Sequence, residues 1–164
     1  MVNHLTEMAG IVQPLTAHRR GNLGRLLFRG YRAINLRLLN ELRAAGHPEL
    51  RLGHVGVLSN LDYDRGARQV ILAERAGVTK QAIGPVVREL ERLGYVRTDP
   101  DPTDHRAKLV TLTSAGRQVI EHAQPLIDRI ENSIRASIGA AQYQELQQLL
   151  LSLLDEFQEG DAYP

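Results

Sequence analysis

LAERAGVTKQAIGPVVRELERLGYVRTDPDPTDHRAKLVTLT, residues 72–113, is the stretch from which the rest of the chain can be placed. Leu72, Ala73 and Ala76 form the apolar side of a short helix. Gly77 follows, at a helix end where a left-handed residue is needed and glycine adopts that conformation cheaply. Thr79 suits the N-cap of the next helix. From there the apolar positions fall at Ile83, Val86, Val87, Leu90 and Leu93, one face of a helix. The opposite face carries Lys80, Gln81, Gly84, Arg88 and Arg92. A buried stripe with a cationic, amide-bearing outer face, entered through a glycine turn, is what a helix-turn-helix needs. Gly94 stops this helix, and 95–98 and 108–113 read as strands from their β-branched and aromatic content. Between them, 99–107 holds two prolines and three aspartates and reads as a loop. The pattern predicts a mainly α protein with a small β-wing, a winged helix-turn-helix.

Outward from this lobe the chain is helical on both sides. Leu23, Leu26, Leu27, Tyr31, Ile34, Leu38 and Leu42 mark a long amphipathic helix over 22–46, with Arg25, Arg29, Arg32, Arg37 and Arg43 on its outer face. Leu52 to Leu61 reads as a shorter helix with Val55, Leu58 and Leu61 inward. The run 62–66 is a turn, with Asp64 a candidate cap for the helix after it. Thr113 caps a further helix whose stripe is Val119, Ile120, Ala123, Ile127, Ile130, Ile134 and Ile138. Pro125 lies inside it and is expected to kink or split it, and Pro85 is expected to bend the second helix of the motif. The last helix begins near Ala141 and turns Tyr143, Leu146, Leu149, Leu150, Leu153, Leu154 and Phe157 to one broad face. Residues 1–20 show little periodicity and read as a leader or docking segment. The whole chain, 1–164, is expected to be one domain: a DNA-binding lobe over 52–113 flanked by helices 22–46 and 114–158. Those helices are apolar on more than one small lobe can cover, so they are expected to pair with a second copy.

Composition narrows the function. Net charge is only +1, but from Ala115 onward three arginines face eight acids, −5, which leaves +6 on the remainder. A basic part that meets phosphate and an acidic part with another task fit this asymmetry. With no Cys there is no disulfide framework, thiolate zinc site or cysteine redox switch, which suits a cytoplasmic protein. With no Trp and 4% aromatics, base stacking on single strands is a poor fit. No apolar run approaches the roughly 20 residues that span a bilayer, and the N-terminus lacks a signal-peptide pattern. None of the six histidines pairs at i, i+4, so no metal or other cofactor is expected. Phosphate-cradling glycine loops, a GxSxG elbow and a cysteine nucleophile are all missing, so an enzyme is not expected.

LAERAGVTKQAIG, LERLGYV and DPTDHRAKLVTLT, in this order, resemble the corresponding segments of the MarR family of bacterial transcription regulators. The resemblance covers most of the chain, since the flanking helices also fit. It implies a homodimer, held by the first and last helices, that places two recognition helices in successive major grooves of a pseudo-palindromic duplex about 34 Å apart. On such a helix Lys80, Gln81, Gly84 and Arg88 would face DNA, with Thr79 and the first backbone N–H groups on a phosphate. Gln81 suits an adenine edge, and Arg88 a guanine or a phosphate. Arg92 is free to anchor phosphate or to pair with Glu89. The resemblance also implies that Arg106 enters a minor groove from the wing while Asp104 holds its guanidinium in pose. Many members carry Arg where this chain has His105, which makes one wing charge pH-dependent. A family cleft between the dimer helices and the DNA-binding lobe often takes small aromatic or phenolic acids, and Tyr31, Arg32 or His54 could meet such an anion. The expected function is a sequence-specific duplex-DNA regulator, a repressor released by a small ligand. A ligand-independent architectural DNA binder and a winged-helix protein-interaction module are the alternatives.

Overall fold

A computed structural model describes residues 21–160; the expectation for residues 1–20 lies outside them. The elements in order are α1 (Leu23–Ala44), α2 (Leu52–Ser59), β1 (Ala67–Arg68), α3 (Gln69–Arg75), α4 (Lys80–Arg92), β2 (Val96–Asp101), β3 (Asp104–Leu112), α5 (Ser114–Ile138) and α6 (Ala140–Gly160). The strands form one antiparallel sheet in the order β1-β3-β2. Asn22 and Thr113 cap α1 and α5 by accepting the backbone N–H of Arg25 and Gly116.

The helical spacing of the apolar residues is realised as one core. Ile83, Val87 and Leu90 of α4 are buried against Leu72 of α3, Val55 and Leu58 of α2, and Val96 and Val110 of the sheet. Leu39 and Leu42 of α1 and Val119, Leu126 and Ile130 of α5 extend it toward the outer helices. The first half of α1 and one face of α6 are uncovered. Leu23, Leu26, Leu27, Phe28, Tyr31 and Ile34 of α1, and Leu149, Leu151, Leu154 and Phe157 of α6, are exposed in the single chain. α6 packs on the end of α5, where the Arg135 guanidinium lies 4.8 Å from the Tyr143 ring centroid.

Two local expectations are corrected. The helix after the 62–66 turn is not capped by Asp64. Asp62 accepts the backbone N–H groups of Asp64 and Arg65 instead, and α3 starts at an Arg68 N-cap. The reason is a third strand that periodicity could not show: Gly66, at φ 74°, turns the chain so that Ala67 and Arg68 pair with Val110 and Leu109 before α3 begins. Most of 99–107 is strand and not loop; only Pro102 and Thr103 lie between β2 and β3. β2 is an edge strand, where a missing proline N–H is tolerated, and the ladder shifts between Pro100 and Asp101. Pro125 lies inside α5 without splitting it, and Pro85 lies inside a continuous α4. Pro125 and Glu121 both lie on the exposed side, so the carbonyl freed by the proline can be hydrated.

Where α1, α5 and the entry to the sheet meet, three rings are joined. The buried His47 bonds through Nδ1 to the Tyr95 hydroxyl (3.2 Å) and through Nε2 to His122 Nδ1 (2.9 Å). Burial, and then the neighbouring His122, hold the His47 pKa below the ordinary 6.5. A base with a lowered folded pKa stabilises the fold in its neutral form. The contribution is full above the unfolded value and is lost as pH falls through the folded one. The melting temperature of the wild type is therefore expected to fall as pH drops from about 7.5 to about 5.5. His47→Gln, which cannot titrate, should flatten that slope. An unchanged slope in the variant would place the titration elsewhere.

Candidate nucleic-acid interface

The turn into α4 is set by Gly77, at φ 63°, and by Thr79, whose hydroxyl oxygen accepts the Ala82 N–H at 3.2 Å. α4 then presents Lys80, Gln81, Arg88 and Arg92 to solvent along its outer face. Gly84 departs from the expectation, since it is buried and not on the open face. A Cβ placed there would sit 3.4 Å from the Arg88 guanidinium and 3.9 Å from Gln69 Oε1. The Arg88 side chain folds back over this position, and the start of α3 closes it from the other side.

The pose of α4 against α2 is held by Glu89. It takes Arg51 Nη1 at 2.8 Å and His54 Nε2 at 3.1 Å. Glu89 thus pairs with α2 and its N-cap, and not with Arg92. His54 Nδ1 accepts the Arg51 backbone N–H at 3.1 Å, so Nε2 carries the proton that is donated to Glu89. At 1% exposure, His54 has both ring nitrogens engaged inside the lobe. Tyr31 and Arg32 stand on the exposed side of α1, and the Tyr31 hydroxyl reaches over Gly56 of α2. Arg32 lines a shallow hollow of about 610 Å³ on α1, away from His54.

Between the start of α3, the start of α4 and the hairpin lies a cleft of about 360 Å³. Arg68, Gln69, Lys80, Arg106 and Lys108 line it, so four cations from three elements converge on one opening. Arg106 is on β3, close to the hairpin turn. Asp104 does not hold its guanidinium. Asp104 Oδ1 accepts the Arg106 backbone N–H at 3.1 Å, while Oδ2 lies 3.8 Å from Arg68 Nη1. Asp104 sits at the closing pair of the hairpin, opposite Asp101, which Arg68 also bonds, and so lies within reach of the same guanidinium. Arg68 was missed by the sequence reading. Its Nε donates to Asp101 Oδ2 at 2.7 Å. The Thr103 hydroxyl and backbone N–H, and then Arg68, hold the Asp101 carboxyl far below the usual carboxylate range. The available signal was a long cation at the N-cap of a short helix, where a small polar side chain is the usual choice.

Residues 49–107 match the sequence profile of the MarR family. The chain is 31% identical over 132 residues to the HTH-type transcriptional repressor Rv2887 of Mycobacterium tuberculosis, covering 80% of this chain and 92% of that one. The chain belongs to the MarR family. It is also 30% identical over 141 residues to the transcriptional activatory protein BadR of Rhodopseudomonas palustris, covering 84% of this chain and 81% of the other. Among solved structures, Rv2887 in complex with salicylic acid is 28% identical with a TM-score of 0.61, covering 81% of this chain and 96% of that one. CouR from Rhodococcus jostii RHA1, bound to p-coumaroyl-CoA, is 26% identical with a TM-score of 0.65, covering 82% and 92%. In MarR terms α4 is the recognition helix and the β2–β3 hairpin is the wing. No helix among the described residues is long and apolar enough to cross a membrane, and no cluster of three or more potential metal ligands occurs there.

Proposed function

We propose that the chain is a homodimeric, sequence-specific regulator that occupies a pseudo-palindromic duplex site and is displaced by a small anionic ligand. The observation that carries this is the basic cleft between the start of the recognition helix and the wing. It brings Lys80 of one element and Arg106 and Lys108 of another to a single opening, the arrangement needed to follow a phosphate backbone from major to minor groove. Lys80, Gln81 and Arg88 are the base- and phosphate-reading side chains of α4, and Thr79 holds its exposed start. Arg106 is the minor-groove contact. Gly84 contributes by letting Arg88 and Gln69 close over it and makes no contact of its own.

The uncovered faces of α1 and α6 make the dimer, and 52–113 is the DNA-binding lobe between them. The ligand class is an aromatic carboxylic acid or its thioester, by analogy with the complexes of Rv2887 and CouR. Tyr31 and Arg32 are the side chains that would meet it, since His54 is engaged with Glu89. A coupling of about 1–3 kcal/mol between ligand and DNA suffices for release. Repression follows the Rv2887 likeness, and the cytoplasm is the compartment where such a regulator acts. No catalytic role is assigned.

Fluorescence anisotropy on a pool of genomic duplexes, at two salt concentrations, tests the reading. The wild type should bind a subset tightly, and Arg106→Ala should weaken that binding by about 1–3 kcal/mol, roughly ten- to hundredfold. Equal, weak and strongly salt-dependent binding to every fragment would favour an architectural protein. No binding at low salt would leave a protein-interaction module.

A further inference from the structure

The geometry points to Arg68 as the residue that aims the wing: a positioning residue that fixes the hairpin tip so that Arg106 is presented to the groove. The inference rests on the DNA-binding reading above. Arg68 occupies the N-cap of α3 yet makes no capping bond there. A small polar side chain at such a position is usually worth about 1 kcal/mol of helix stability, and this chain forgoes it. The arginine reaches across the sheet instead. Its Nε bonds Asp101 Oδ2 at 2.7 Å, its Nη2 reaches Thr103 Oγ1 at 3.5 Å, and its Nη1 lies 3.8 Å from Asp104 Oδ2. Asp101 and Asp104 are the closing pair of the hairpin, so one planar guanidinium spans both sides of the turn.

The partners have few alternatives. Asp101 is 5% exposed, and its second oxygen accepts both the backbone N–H and the hydroxyl of Thr103, at 2.8 and 2.6 Å. The second oxygen of Asp104 accepts the backbone N–H of Arg106. A continuous path therefore runs from the start of α3, through Arg68 and Asp104, to the main chain of Arg106. Among the described residues no carboxylate pairs with the Arg106 guanidinium itself. Charge separates the two roles. Arg68 faces two carboxylates and is compensated where it stands, whereas Lys80, Arg106 and Lys108 bring uncompensated charge to the same cleft. Arg68 supplies direction, and they supply the attraction for phosphate. Because Arg68 immediately precedes α3, the direction of the wing is tied to the same piece of chain that carries the helix-turn-helix.

A double-mutant cycle on duplex DNA tests this. The wild type first selects a duplex from a random-sequence pool. Affinity is then measured on that duplex and on a copy in which the A·T steps protected in the minor groove are replaced by G·C. Failure of the wild type to select any duplex would remove the DNA-binding reading and this inference with it. With a selected duplex, Arg68→Met is expected to weaken binding roughly tenfold and to reduce the A·T preference to the level of Arg106→Ala. In the Arg106→Ala background it should cost no more than about twofold and leave the salt slope unchanged. Additive losses, with a slope smaller by about one, would put Arg68 on a phosphate and overturn the proposal. Equal weakening on both duplexes with the A·T preference intact would also overturn it, since a merely loosened fold behaves that way. Asp101→Asn keeps every cation and serves the same cycle if Arg68→Met melts below the assay temperature. Arg68→Lys should restore the charge without restoring the preference.

Discussion

Phe28→Glu combined with Leu154→Glu is expected to convert the protein to a monomer and to lower its affinity for a two-half-site duplex by roughly 10²- to 10⁴-fold, with each lobe still folded. Phe28 is 65% and Leu154 55% exposed in the single chain, on α1 and α6, and neither belongs to the buried core. With Leu23, Leu26, Tyr31, Leu149 and Phe157 they form uncovered apolar faces on α1 and α6, the kind of surface that marks an interaction site. Burying one such side chain in a dimer is worth about 1.5–3 kcal/mol, and a carboxylate in its place must be desolvated against a facing apolar surface. The loss in DNA affinity follows from geometry. With the two lobes joined, the second half-site is engaged within one complex; with the lobes separated, it is a second bimolecular event. Sedimentation velocity over a range of concentrations, with circular dichroism as a check on folding, reads the first effect, and anisotropy on single and paired half-sites reads the second. A double variant that stays dimeric would mean that these faces are not the interface.

The second large effect is expected from Gly116→Ala. In a helix this exchange ordinarily gains close to 1 kcal/mol. Here it should lose about 3 kcal/mol or more in urea unfolding, because a Cβ would overlap the Tyr95 carbonyl oxygen and stand 3.0 Å from Leu112 Cδ2. The Tyr95 carbonyl cannot simply retreat. It accepts the backbone N–H of Thr113 at 3.1 Å and the Thr113 hydroxyl at 3.2 Å, and Thr113 in turn caps α5. The first turn of α5 is thus seated directly on the entry to the wing, and only a residue without a side chain allows that distance. A loss below about 1 kcal/mol would mean that α5 can slide off this seat at little cost.

The parts of the molecule that sequence made readable are those where periodicity and burial coincide. Ile83, Val87 and Leu90 lie on one helical face and are fully buried, and Gly77 adopts the positive φ that its place in the turn demands. What escaped notice depends on contacts between residues distant along the chain. A two-residue strand has no period to detect, so β1 was invisible until Gly66 turned it against β3. The partner of Asp104 is 36 positions away, and the nearer Arg106 was the natural candidate; the register of the hairpin decided between them. His54 looked like a polar residue free for a ligand because nothing local announces that Glu89 of another helix closes on it. Spacing along the recognition helix placed Gly84 on the open face, and the length of Arg88 covered it.

α5 runs without a break for 25 residues, through Pro125, from the base of the wing to Gly139 beside α6. At 1.5 Å per residue it is a rod about 37 Å long. One end is seated on the sheet entry through Gly116, and the other carries α6, whose apolar face is uncovered in the single chain and is the proposed seat of a second copy. In mechanical terms it is a lever arm. A tilt of about 5° at the far end displaces the near end by about 3 Å, close to the rise of one base pair, so a change too small to repack any core can still carry a lobe out of step with its groove.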